Sequence, residues 1–204
     1  MLSLDHIVVV AESLEEGRAF VEARLGVPLQ NGGKHALMGT HNLLLGLADG
    51  LYLEVIAVDP EAPDPGRNRW FGLDEFRGSP RLTNWVGRSD DIAADMERAF
   101  GSGTGPTQLS RGDLRWQMSV IDEGQTPFEG LVPMMLDWGD GPKAADRLTP
   151  NGCRLKRLVL AHPDVESLRN ALIGLVNDPL VQVEECSVPT ISAVLNTPHG
   201  EVTL

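Results

Sequence analysis

A carboxylate and an imidazole on strand-like segments are the first groups in this sequence able to do chemistry. Leu51-Tyr52-Leu53-Glu54-Val55-Ile56-Ala57-Val58 is apolar on both faces apart from Glu54. Its carboxylate is therefore expected to be at least partly buried, where an unpaired charge costs several kcal/mol or forces protonation. Glu54 needs a partner. A metal or a proton in transit would make it functional, whereas an arginine would make it structural, with Arg88, Arg111 and Arg115 as candidates. His6 stands in Leu4-Asp5-His6-Ile7-Val8-Val9-Val10, where strand alternation puts Leu4, His6, Val8 and Val10 on one face. A lone histidine in such a strand is ordinarily a core residue bonded to a neighbour, and its functional weight comes from Glu54.

The elements that must position these groups follow from periodicity and punctuation. Ser13-Leu14-Glu15-Glu16 is a capping box opening a helix over 13–25, stopped by Gly26 and Pro28. Leu43 to Leu47 reads as a short strand, and Asp49-Gly50 as a hairpin turn into the Glu54 strand. Residues 1–58 thus form a first βαβββ module. Residues 59–81, with Pro60, Pro63, Pro65 and Pro80, are a crossover that Trp70, Phe71 and Leu73 should pack down. The pattern then restarts in a second module, 82–140, and after a linker at 141–154 a third time, in a divergent, partial module at 155–204. The step from the leading strand leucine to the first apolar helix residue is the same in all three: Leu4 to Leu14, Leu82 to Ile92, Leu155 to Val165. The fold class is α+β, with repeated βαβββ modules.

With 17 basic and 29 acidic residues the net charge is −12, which argues against a nucleic-acid partner. No apolar run is long enough to cross a membrane, and no secretory signal is evident, so a cytoplasmic address is expected. Cys153 and Cys186 lack metal-type spacing. Gly101-Ser102-Gly103-Thr104-Gly105 follows a helix and lacks the Lys-Ser/Thr step of a phosphate loop, and no Rossmann glycine signature is present, so no nucleotide cofactor is expected.

Tandem βαβββ modules with a histidine in the first strand and a glutamate in the last resemble the vicinal oxygen chelate superfamily, which includes glyoxalase I, extradiol dioxygenases and antibiotic-resistance proteins. More narrowly, Leu4-Asp5-His6, Met38-Gly39-Thr40-His41-Asn42, Tyr52-Leu53-Glu54 and Asp137-Trp138-Gly139 resemble the glyoxalase-like domain family over roughly residues 4–160. The resemblance implies a curved mixed-sheet cup between modules one and two that binds a small oxygen-rich metabolite. It implies lyase, isomerase or dioxygenase chemistry, with a metal-free binding or sequestering protein as the alternative. Carried over, it implies a metal set of His6, Glu54 and Asp137, with the same three as catalytic residues. Asn84 then stands where a ligand would, and module three departs from the pattern with Arg157 and Leu204. Such a set would suit a divalent ion, with zinc, manganese, iron, nickel and magnesium equally open. Asn84, Arg88, His41 and Trp116 are the expected substrate-binding residues, Arg88 anchoring a carboxylate or else a structural salt bridge. Trp85 and Trp138 should turn away into packing, and His35 should be solvated or bonded to backbone. The third module should pack against the cup or across a homodimer interface.

Overall fold

In the computed structural model, which describes residues 1–103 and 105–204, Ser13 accepts a hydrogen bond from the Glu16 amide and opens α1 (Leu14–Leu25). Gly26 closes it in the left-handed conformation. The same construction opens α2 (Ile92–Phe100), where Asp91 accepts from the Ala94 amide, and α3 (Val165–Leu172), where Asp164 accepts from that of Ser167. Thr104, in the glycine-rich turn after α2, lies outside the described residues.

Module one consists of β1 (Ser3–Val10), α1, β2 (Gln30–His35), β3 (Thr40–Gly46) and β4 (Tyr52–Val58). Module two consists of β5 (Arg81–Arg88), α2, β6 (Thr107–Arg111), β7 (Leu114–Met118) and β8 (Met134–Asp137). Together they build one sheet in the order β2-β3-β4-β1-β5-β8-β7-β6, curved until its edge strands β2 and β6 approach each other. In each module the first strand pairs in parallel with the last, and β1 and β5 pair antiparallel at the seam. His6 opposite Val86 is mirrored there by Asn84 opposite Val8, so an approximate twofold relates the modules.

Two matching irregularities sit on this seam. Asp5 is passed over in the pairing, since Leu4 faces Gly87 and His6 faces Val86; Thr83 is passed over likewise, between Leu82 opposite Val9 and Asn84 opposite Val8. These are β-bulges, which re-aim a side chain and kink the strand.

Alternation divides the core. Ile7, Val9, Trp85 and Met135 pack with the helices on one face of the sheet, while Val8, Val10, Val86 and Met134 line the inside of the cup. The crossover packs down over the cup through Trp70, Phe71, Leu73 and Phe76.

The third segment, β9 (Arg154–His162), α3, β10 (Val181–Glu185), β11 (Thr190–Thr197) and β12 (Gly200–Thr203), repeats the element order but not the wiring. Its sheet runs β10-β9-β11-β12, so the first strand pairs in parallel with the strand right after the helix instead of the last. It packs against the helix side of the cup. Leu158, Leu160 and Leu195 join the core of Trp85 and Met96, and the Leu2 amide donates to the Leu175 carbonyl at 2.7 Å. Among the described residues no helix is long and apolar enough to cross a membrane.

Candidate functional site

The bulge at Asp5 decides the chemistry of the cup. In a regular strand Asp5 and His6 would point to opposite faces. Here the Asp5 carboxylate is fully buried and reaches His6 Nδ1 at 2.9 Å, while His6 Nε2 lies 3.4 Å from Glu54 Oε2. Asp5 also accepts from Arg88 Nε at 2.9 Å and from the Trp138 indole at 3.1 Å. Glu54 accepts from Asn42 Nδ2 at 2.5 Å, and Tyr52 stacks on the imidazole with ring centres 4.3 Å apart. The parallel register puts Glu54 beside Val8, one strand over from His6.

Electrostatics hold this chain ionised. Burial would push the Glu54 carboxyl up, but the hydrogen bond and charge of His6, with Asn42 and His35, bring it down to about 2. Burial would likewise lower His6, yet the hydrogen bonds it donates to the Asp5 and Glu54 carboxylates, with their charges, leave it raised above its ordinary 6.5. Asp5 is lowered, against its burial, by His6 and Arg88. The result is an imidazolium held between two carboxylates, with Arg88 balancing the outer one.

The cluster borders a cavity of about 30 Å³, enough for one or two waters, with apolar walls from Leu44, Trp70, Phe71, Trp116, Leu136 and Trp138. His35 is also in the wall. It is buried rather than solvated, its Nδ1 lies 3.1 Å from Thr40 Oγ1, and burial pushes it down to about 4, so it is neutral. Arg111 Nη1 donates to Asn42 Oδ1 at 3.1 Å and approaches His35 Nε2 at 3.4 Å. Glu54 therefore meets none of the expected arginines directly: Arg111 stands one residue away, and Arg115 bonds the Gly112 and Leu114 carbonyls.

The sequence-derived candidates divide accordingly. His6, Glu54 and Trp116 are brought to the cavity. Arg88 is tied to Asp5, and His41 lies half-buried on β3 away from the cavity, its imidazole lowered by burial. Asn84 is buried in the cup but turned to Thr83 Oγ1 at 2.9 Å and the Phe71 carbonyl at 3.4 Å, a neutral copy of the Asp5–His6 pair. Asp137 is not in the cluster. Met134, beside Val86, holds the place that Glu54 holds beside Val8, and by alternation Asp137 turns to the helix side, where it accepts from the Gly139 amide at 2.7 Å. The same one-step difference brings Trp138 inward, against the expectation that it packs away from the cup.

The divalent-ion set implied by resemblance can be compared with the donors present. His6 Nε2 and Glu54 converge, but His6 Nδ1 is engaged by Asp5, the Asn84 amide is engaged elsewhere, and Met134 offers only a thioether. Among the described residues no three His, Cys, Asp or Glu side chains converge as a metal site. This donor set does not fit a preformed hard-cation cup. Asp5, Trp138 and His35 also stand at the candidate site, although the sequence reading gave Asp5 no role, turned Trp138 away into packing and favoured a solvated or backbone-bonded His35. The sequence signals for Asp5 are its adjacency to His6 and its place in the Leu4-Asp5-His6 motif.

Comparison with known proteins agrees with this architecture. A structure from Staphylococcus aureus, described only as a hypothetical protein, superposes with a TM-score of 0.65 at 17% identity, covering 93% of this chain and 88% of that one. Methylmalonyl-CoA epimerase from Mycobacterium tuberculosis is similar at a TM-score of 0.44 and 18% identity, over 71% of this chain and 91% of its own. No curated protein matches. Residues 4–176 match the glyoxalase-like domain. A match over most of the chain, on two βαβββ modules joined into one curved sheet, places this protein in the glyoxalase-like domain family.

Proposed function

We propose that this protein binds a small oxygen-rich metabolite in the cup between modules one and two and moves a proton on it with the Glu54–His6 pair. The observation that carries the reading is the Asp5–His6–Glu54 chain on the border of a largely apolar cavity. Burial alone makes a carboxylate a stronger base, and Glu54 is held back by His6, His35 and Asn42. A substrate carbonyl that takes the His6 N–H releases Glu54 to accept a proton from the carbon next to that carbonyl. The imidazolium, fixed in orientation by Asp5, then faces the oxyanion that develops. Return of the proton completes an isomerisation or exchange in which no bond to the protein forms. No step runs through a metal ion, because the donor set described above does not hold one.

A specific observation favours a second reading, a protein that binds or sequesters its ligand without turnover: a carboxyl brought down to about 2 is a weak base until its partners leave. Nuclear magnetic resonance in deuterium oxide separates the two. A panel of small 2-oxo and 2-hydroxy acids and diketones is incubated with the native chain and with Glu54→Gln. Deuterium uptake next to a carbonyl, lost in Glu54→Gln, is expected. Uptake that survives the substitution refutes the assignment of Glu54, and saturable binding without uptake selects the sequestering reading.

A further inference from the structure

The cup is curved until β2 and β6 nearly meet, and one side chain bridges the gap. Arg111, the last residue of β6, extends across Gly33 to Asn42 and His35. The glycines are what let it pass. A Cβ at Gly33 would stand 2.5 Å from Arg111 Cδ, and one at Gly32 would stand 2.0 Å from Asn42 Oδ1. Arg111 is also a wall of both the inner cavity and an outer cleft of about 280 Å³, whose other polar residues include Gln30, Asn31, Asp113 and Arg147. Leu44 and Ala144 are shared in the same way, so the cleft is the antechamber of the cavity.

Two groups on the wall of the inner cavity lack the partner their chemistry calls for. Arg111 has no carboxylate partner among the described residues; its Nη1 contacts are a neutral imidazole and an amide oxygen. Arg147, in the same cleft, is by contrast paired to Asp113 at 2.6 Å. The Trp70 ring forms part of the cavity wall, and its indole N–H is buried without an acceptor among the described residues. A buried donor with no acceptor is uncommon and marks a place for a ligand or water.

We propose that Arg111 is the recognition residue for a small monoanionic carboxylic acid, which enters between β2 and β6 and sets its carboxylate against the Arg111 fork, within reach of the Trp70 wall. This names the substrate class of the cup and rests on the reading of that cup as a metabolite site. The planar guanidinium matches a carboxylate in two parallel hydrogen bonds, which an ammonium does not. Of the two arginines in the cleft, only Arg111 also reaches the cavity that His6 and Glu54 border.

Titration of the full chain with pyruvate, lactate and acetate, alongside acetamide and acetone, tests the assignment at neutral pH and low salt. Saturable binding of the acids and not of the uncharged compounds is expected. Arg111→Gln should weaken it by about 10- to 100-fold, the loss expected for hydrogen bonds to a charged group. Arg111→Lys, which keeps the charge but not the fork, should fall between, and Arg115→Gln should bind like the native chain. The inference is overturned if no acid binds the native chain, if acetamide binds as well as acetate, or if both folded Arg111 variants bind within about twofold of native, well inside the expected loss. Native protein that binds pyruvate through Arg111 without exchanging its methyl protons supports the recognition role while refuting proton transfer, so the two proposals fail separately.

Discussion

Glu54→Gln should change how stability depends on acidity. The Glu54 carboxyl lies at about 2 in the folded chain against an ordinary 4.5. A depressed carboxyl contributes stability that is present above the unfolded value and is lost as pH falls through the folded one. That difference, at roughly 1.4 kcal/mol per tenfold change in acidity, corresponds to about 3 to 4 kcal/mol in full, most of it lost by pH 2. The amide introduced by Glu54→Gln cannot ionise, so the stability difference between native and variant chains should shrink by about 3 kcal/mol between roughly pH 6 and pH 2, while the other carboxyls largely cancel in the subtraction. His6 acts in the opposite sense. Its raised folded value gives stability that is present below 6.5 and is lost as pH rises through the folded value, and with one of its two carboxylates gone that loss should be smaller and complete at lower pH in the variant. Urea unfolding followed by tryptophan fluorescence at a series of pH values measures both effects, Trp85 being fully buried beside the seam. Two curves that stay parallel, within about 1 kcal/mol across the acid range, would refute the picture of an ionised Glu54 held by His6.

Asp5→Asn should be more damaging than its place beside a histidine suggests. It removes the charge that Arg88 and His6 share, and breaking a buried ion pair from one side costs about 3 to 5 kcal/mol. The His6 titration, followed by its ring proton resonances, should shift downward in the same variant. Asp137→Asn should cost about 1 kcal/mol or less, since the half-buried side chain caps only the Gly139 amide, and should leave ligand binding intact. A large loss of binding there would restore Asp137 to the site.

The parts of this molecule written in local patterns were legible. The capping box, the Gly26 stop, the repeated leucine-to-helix spacing and the alternation of β1 located the helices and put His6 inside the cup. Glu54 stood out because a charge in a doubly apolar strand must be met by something. What failed was whatever depends on register between distant strands. The long connection between β7 and β8 hides where β8 begins, so the repeat pattern puts Asp137 where Met134 stands, with inside and outside exchanged for Asp137 and Trp138. A bulge has no signature in one strand alone, and so the Leu4-Asp5-His6 motif did not show that Asp5 turns to the same side as His6. Equal leucine-to-helix spacing marks a βα unit but does not fix which strand pairs with which, and the third segment used that freedom. His35, a loop residue by sequence, is buried because Trp70 of the crossover and Trp116 of β7 pack against it.

The paired bulges bear on how the two halves can diverge. Each half needs its kink where β1 and β5 cross, whatever side chain occupies it, because the kink is backbone geometry. The extra residue is therefore a position that can change its chemistry while the architecture stays fixed. Asp5–His6 and Thr83–Asn84 are two fillings of one mould, the first ionised and the second neutral, each closed by a contact between adjacent side chains. A duplicated framework of this kind separates duties between its copies: one half carries the charge, and the other supplies the wall against which that charge is held.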